Sequence, residues 1–115
     1  MRRVVVTGLG IVSPLGSGLE SSWQGVREGK PGIRTITRFD PTDFPVTIAG
    51  EVPDFDPSGS IERKDLKKMD LFIQYALVSG LMAHKMSGLD ITEEISERVG
   101  VFVGAGIGGL PGIEH

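Results

Sequence analysis

The feature that most constrains the fold is the segment Ile61–Ser87, which is apolar on two helical faces. One set of side chains repeats at the spacing of a single helical face: Met69, Phe72, Ile73, Ala76, Leu77, Gly80, Leu81 and His84. A second set follows the neighbouring face: Leu71, Tyr75, Val78 and Met82. Because a helix that is apolar on two faces needs cover on two sides, the pattern predicts a helix packed between layers. We expect a break near Lys68–Asp70 and an end at Gly88.

Two glycine clusters each follow a short run of β-branched residues. The runs Arg3–Thr7 and Arg98–Val103 are predicted to be buried strands, since each is short, apolar and ended by glycine. The segments after them, Gly8–Gly16 and Gly104–Leu110, are predicted to be loops in which the backbone turns tightly. A strand followed by a glycine loop is how α/β proteins build sites at strand ends.

The rest of the chain predicts shorter elements. Glu20–Glu28 is predicted to be a helix closed by Gly29, and Thr92 is expected to open another short helix. Lys30–Ser60 holds most of the prolines and is predicted to be irregular, with one edge strand at Val46–Val52. Long helical connections between apolar strands indicate a parallel sheet in an α/β layered fold. Two strands and one two-faced helix do not close a core, so we expect an incomplete piece of a larger domain.

The composition excludes several classes of site. Without cysteine there is no disulfide, thiolate metal site or cysteine nucleophile, and two histidines, His84 and His115, exclude a histidine-rich metal site. Glu93 and Glu94 point to different helix faces, and no nucleophile paired with a base can be assembled. We therefore predict no catalytic and no metal-binding residue.

Charge and hydropathy narrow the partners and the compartment. The net charge of −3 does not favour nucleic acid or an anionic membrane. No apolar run approaches the roughly 20 residues that a membrane helix needs. The first apolar run is also too short for the core of a signal peptide. We expect no nucleic acid partner, no membrane contact and a cytoplasmic location.

The loop after the second predicted strand matches the spacing G-x-G-x-x-G at Gly104, Gly106 and Gly109. That spacing is typical of a dinucleotide-binding loop when a strand precedes it and a helix and an acidic residue follow. The alternative interpretation is a tight turn where the backbone passes close to another element. The residues alone favour the tight turn.

A basic cluster lies at the start of the long helical segment: Arg63, Lys64, Lys67 and Lys68. On a helix Arg63 stacks over Lys67 and Lys64 over Lys68, and like charges at that spacing repel. The cluster is therefore either a docking surface for an acidic partner or a solvated face, because three carboxylates are interleaved with it. From the residues alone, the solvated face is favoured.

Three stretches closely resemble the β-ketoacyl-ACP synthases, in that family's order and spacing. They are Arg2–Gly16, Arg63-Lys64 together with Lys68–Ala76, and Gly104–Leu110. The Ile107-Gly108-Gly109 form and the Met69–Tyr75 run are more similar to synthase II than to synthase I.

The resemblance implies a partial thiolase-like fold, in which two similar α/β halves pack as α-β-α-β-α layers and form a homodimer. Residues 1–115 would be the incomplete N-terminal part of the ketosynthase N-terminal domain. The family condenses acyl chains with malonyl-ACP in fatty-acid elongation, using a cysteine and two histidines and no cofactor. Those motifs lie in the part of the family sequence beyond residue 115, so we expect this chain alone to be inactive.

The resemblance also implies two sites. Ile107 is similar to the residue that gates the acyl pocket. Arg63, Lys64, Lys67 and Lys68 are similar to the basic patch that docks acyl carrier protein, although the family position matching Lys67 can be Arg. With the family in view, docking becomes the favoured interpretation of the cluster. The alternatives are a nucleotide-binding α/β protein, a polyketide-type ketosynthase, and a non-catalytic module that binds carrier protein.

We predict that the chain of 115 residues does not fold alone, because its strands and central helix lack their partners. Thermal denaturation of the isolated, monomeric chain should show no cooperative transition when followed by circular dichroism. A sharp sigmoidal transition in a monomeric sample would contradict the prediction.

Overall fold

The computed structural model describes residues 1–113, which form two compact units. One unit is Met1–Gly10 together with the residues from Pro57 on, and the other is Ile11–Asp56. The helices are α1 Leu19–Arg27, α2 Arg63–Leu66, α3 Leu71–Ser87, α4 Glu93–Ser96 and α5 Leu110–Ile113. The strands are β1 Val12–Ser13, β2 Gly16–Ser17, β3 Arg34–Thr35 and β4 Ile48–Ala49. No helix within residues 1–113 is long and apolar enough to cross a bilayer.

The structure confirms the predicted helices. The segment Ile61–Ser87 forms two helices, α2 and α3, that are separated at the expected break. The Gln74 side-chain amide donates to the carbonyl oxygens of Met69 at 2.9 Å and Leu66 at 3.4 Å, which ties the end of α2 to the start of α3. Gly88 ends α3 with a φ of 64°, the left-handed conformation that glycine adopts without a steric penalty. The helices predicted at Glu20–Glu28 and after Thr92 correspond to α1 and α4.

The prediction of two buried strands is wrong for the described residues. Neither Arg3–Thr7 nor Arg98–Val103 forms a strand, and the side chains of Val4 and Phe102 are 93% and 97% exposed. A strand needs the backbone groups of a neighbouring strand, and no segment within residues 1–113 pairs with either run. β-branched composition predicts that a segment can join a sheet, but it does not supply the neighbour.

The two sheets that do form are short antiparallel pairs, so the predicted parallel sheet is also absent from residues 1–113. β1 pairs with β2, and β3 pairs with β4. Of the predicted edge strand Val46–Val52, the two residues of β4 form a strand. In this pair Thr35 lies opposite Ile48, and Arg34 lies opposite Ala49.

One carboxylate reinforces the second of these pairs. Glu51 accepts hydrogen bonds from the Thr37 hydroxyl at 2.7 Å and from the backbone N–H groups of Thr37 at 3.0 Å and Arg38 at 3.2 Å. The Thr37 hydroxyl, aided by these N–H groups, holds the pKa of Glu51 below its usual value. The interaction therefore stabilises the fold fully at pH values above the ordinary pKa of glutamate. This stabilisation is lost as the pH falls through the lowered pKa of Glu51.

The predicted two-sided helix is covered on one side within its unit. Val78 on the second apolar face is 4% exposed, while Leu77 and Leu81 on the first face are 40% and 45% exposed. The open face borders an apolar groove of about 590 Å³ whose other wall includes Val101 and Val103. The second layer predicted for α3 is thus missing along this groove.

Glycine allows the first segment of the chain to contact the α3 backbone. A Cβ on Gly8 would overlap the carbonyl oxygen of Ala83, and a Cβ on Gly10 would overlap that of Ser79. These two carbonyls are four residues apart, on one face of the helix. The glycines of the first loop therefore serve close packing, in which any larger residue would push the segment away from α3.

We predict that Gly8→Ala lowers the free energy of unfolding by about 1–3 kcal/mol, because the added methyl group meets rigid helix backbone. The measurement is urea denaturation of the full-length protein that the sequence leads us to expect. Gly59→Ala is the matched control, since nothing lies within 4 Å of a Cβ there. Equal stability of the two variants would contradict the proposed backbone contact.

Candidate functional site

The candidate gate residue lies on a loop that turns through two left-handed glycines. Ile107 is 73% exposed, and it is followed by Gly108 with a φ of 65° and Gly109 with a φ of 59°. Two successive residues in this conformation would be costly for any side chain with a Cβ. The glycines thus fix the direction in which the chain leaves Ile107 and enters α5.

The same loop lies against the first turn of α3. A Cβ on Gly108 would lie 2.8 Å from Phe72 Cγ, and a Cβ on Gly112 would lie 2.8 Å from Asp70 Oδ2. A Cβ on Gly109 would overlap Asp70 Oδ2. The tight-turn interpretation of the glycine loop is therefore supported, because the backbone does pass close to another element.

Sequence reasoning missed Phe72 and Asp70 as neighbours of this loop. The sequence pattern places Phe72 on an apolar helix face, and it places Asp70 at the helix break, among the carboxylates interleaved with the basic cluster. The sequence did carry one signal for the position of Asp70, because Asp is strongly preferred at helix N-caps and therefore indicates the start of α3. Asp70 is the N-cap residue of α3 but makes no side-chain capping hydrogen bond, and its carboxylate instead lies beside the glycine loop.

This geometry argues against the dinucleotide interpretation of the Gly104 loop. The strand that should precede such a loop is not formed within residues 1–113. The Asp70 carboxylate beside Gly109 would also repel a pyrophosphate at this point. Within the described residues, the loop therefore lacks the strand and the electrostatic setting that bind a dinucleotide phosphate.

The four residues of the basic cluster are exposed. Arg63 and Lys64 lie in α2, Lys67 is its C-cap residue and Lys68 follows, and all four are exposed. Lys64 Nζ lies 2.7 Å from Glu62 Oε2, with the two side chains 71% and 72% exposed. An ion pair this exposed is weak and easily exchanged for another partner.

The remaining chemistry of the described residues is limited. No group of three or more histidine, cysteine, aspartate or glutamate side chains within residues 1–113 is arranged to hold a metal ion. His84 is exposed and borders the apolar groove beside α3. His115, the other histidine of the chain, lies outside the described residues. The candidate site residues are therefore an exposed isoleucine on a glycine loop and an exposed cationic cluster.

Comparison with known proteins identifies the family. Residues 1–114 match the family model described as the β-ketoacyl synthase N-terminal domain. Proteins named 3-oxoacyl-[acyl-carrier-protein] synthase 2 match 98% of this chain, with identities of 54% in Vibrio harveyi, 51% in Coxiella burnetii and 44% in a Synechocystis strain. In each case the chain spans only 27% of the relative's length.

A solved ketosynthase structure also resembles this chain. A chain of the ishigamide ketosynthase/chain length factor is 44% identical and superposes with a TM-score of 0.69, covering 77% of this chain and 22% of that one. The match to a ketosynthase supports the predicted partial thiolase-like α/β fold, although the predicted strands are not paired within residues 1–113.

Proposed function

Because this chain belongs to the β-ketoacyl synthase N-terminal domain family, we propose that it is the N-terminal part of a 3-oxoacyl-ACP synthase II. One observation carries the proposal: relatives that bear the name 3-oxoacyl-[acyl-carrier-protein] synthase 2 align over 98% of the chain at 44–54% identity. Because the aligned region is nearly the whole chain, it includes both the gate loop and the basic cluster.

The full-length enzyme would condense an acyl chain with malonyl-ACP. A cysteine takes the acyl group from its carrier thioester, and loss of CO₂ from the malonyl group leaves a carbanion equivalent that attacks the new thioester. The products are the elongated 3-oxoacyl-ACP, CO₂ and the free thiol of the carrier protein that gave up the acyl group, and the cysteine thiolate is regenerated. This chain contains no cysteine, so the nucleophile must come from residues outside it. No bound cofactor is needed, because the decarboxylation itself supplies the electron pair.

The proposed contribution of the glycine loop is the acyl-pocket gate at Ile107. A branched apolar side chain presents hydrocarbon to an acyl chain, and binding pockets for such chains are lined mainly by apolar groups. The neighbouring glycines have no side chains that would obstruct movement of the isoleucine. Ile107 can therefore be displaced by an entering acyl chain without exposing a polar group to it.

The proposed contribution of Arg63, Lys64, Lys67 and Lys68 is to dock acyl carrier protein. Acyl carrier protein is acidic, and complementary charge speeds encounter and selects the partner. The exposed pair of Lys64 with Glu62 would give way at little cost, because both groups are well hydrated before binding.

We further propose that the full-length protein acts in the cytoplasm as a homodimer, as the family resemblance implies. A polyketide-type ketosynthase stays the alternative within the family. The ishigamide ketosynthase/chain length factor is 44% identical to this chain, which falls within the range of the relatives named synthase 2, so identity alone does not separate the two kinds of enzyme. A module that only binds carrier protein is the non-catalytic alternative.

We predict that the full-length protein forms 3-oxoacyl-ACP from saturated acyl-ACP and malonyl-ACP, with one CO₂ released per condensation. Product mass spectrometry together with counting of labelled CO₂ measures both. Preference for a partly built 3-oxo chain over a saturated acyl chain would favour the polyketide alternative. Binding of acyl-ACP without any condensation would favour the binding module.

We predict that the double variant Lys64→Glu/Lys68→Glu raises the Kd for acyl carrier protein by at least about tenfold, since two attractions become repulsions. Binding of the full-length protein is measured by calorimetry at low salt, and the difference should shrink as salt is added. Lys30→Glu is the matched control, because Lys30 is also exposed and pairs at 2.6 Å with a glutamate two residues before it. A Kd that the double variant leaves unchanged would refute the docking site.

A further inference from the structure

The gate residue itself makes few contacts within its unit. Ile107 is 73% exposed, so its place depends on the backbone that carries it and less on packing of its own side chain. That backbone continues directly into Gly108 and Gly109, whose φ values of 65° and 59° send the chain back against α3. Whatever holds these two glycines also sets the position of Ile107.

The Phe72 ring spans both glycines. A Cβ on Gly108 would lie 2.8 Å from Phe72 Cγ and 2.9 Å from both Cδ atoms, so this edge of the ring is pressed evenly against the glycine. A Cβ on Gly109 would lie 3.0 Å from Phe72 Cε1. The ring can lie this close to the loop only because neither position has a side chain.

Asp70 also lies against this segment. Its Oδ2 atom lies beside both Gly109 and Gly112, so the carboxylate lies between the loop and the following helix α5. Because Asp70 does not cap α3 with its side chain, the carboxylate is free of the role that an aspartate usually has at this position.

We propose that Phe72 and Asp70 form a seat for Gly108 and Gly109, and that this seat positions Ile107 and sets which acyl chain lengths the gate admits. The proposal rests on the proposed function of Ile107. Phe72 and Asp70 are positioning residues that act through the loop backbone. Loss of the ring leaves the loop free to shift, and a displaced Ile107 discriminates less between short and long chains.

The test uses the full-length enzyme with hexanoyl-ACP and tetradecanoyl-ACP as alternative substrates. We expect Phe72→Ala to change the ratio of the two kcat/KM values by at least about fivefold, toward equal use of both. Asp70→Ala is expected to act in the same direction. The ratio is taken within one variant, so a fall in the amount of active enzyme cancels out. Leu81→Ala, on the same apolar face of α3 and 45% exposed, is the matched control and should leave the ratio unchanged.

A double-mutant cycle tests the contact directly. Gly108→Ala strains a left-handed residue in both backgrounds, but it pushes a methyl group into the ring only when Phe72 is present. Its effect on the ratio should therefore be smaller by about threefold or more when Phe72 is already alanine. Equal effects of Gly108→Ala in both backgrounds would overturn the proposal. If Phe72→Ala gives no folded enzyme, Phe72→Leu takes its place, since it keeps an apolar side chain but loses the ring.

Two failures can be told apart. If the wild-type enzyme condenses acyl-ACP with malonyl-ACP but the ratio is the same in wild type, Phe72→Ala and Phe72→Leu, the seat is wrong and the proposed function stands. If the wild-type enzyme condenses neither substrate, the proposed function fails, and the seat for a chain-length gate fails with it.

Discussion

The unit built around α3 depends on one steric constraint, which is that two glycine segments lie directly against this helix. Along the middle and the C-terminal half of α3, Gly8 and Gly10 leave room for the backbone carbonyls of Ser79 and Ala83. At the N-terminal end, Gly108 and Gly109 leave room for Phe72 and Asp70. A side chain at any of these four positions would separate the loop from the helix.

The two apolar runs that do not form strands leave their side chains in water. Ile61 and Val78 are the buried hydrophobic residues of the described part of the chain, while Val4 and Phe102 are almost fully exposed. Apolar side chains stabilise a fold only when a second surface removes them from water. The runs that carry them remain available to pair with further polypeptide, and the same property makes unpaired edges prone to aggregation.

The proposed site combines two kinds of surface on neighbouring parts of the sequence. The cationic cluster and the seat of the gate loop are joined at the start of α3, because Lys68 lies two residues before Asp70 and four before Phe72. A carrier protein held by the cluster would therefore be held by residues continuous with those that position the gate. The exposed ion pair of Lys64 does not oppose this, since pairs in water contribute little.

Local chemistry made several features predictable from the sequence alone. The two-face pattern predicted α3, Gly88 and Gly29 predicted helix ends, and Asp70 and Lys68 marked the break after α2, because helix periodicity and helix ends depend on residues within a few positions of one another. The tight turn at Gly108 was also favoured by composition.

Tertiary structure alone decided which partners meet across long stretches of sequence. The approach of Gly8 to Ala83 and of Gly109 to Asp70 joins residues about 40 to 75 positions apart, and no local pattern encodes such a meeting. It likewise decided that Arg3–Thr7 and Arg98–Val103 do not become strands here, because a strand is completed by hydrogen bonds from a neighbour that propensity cannot provide.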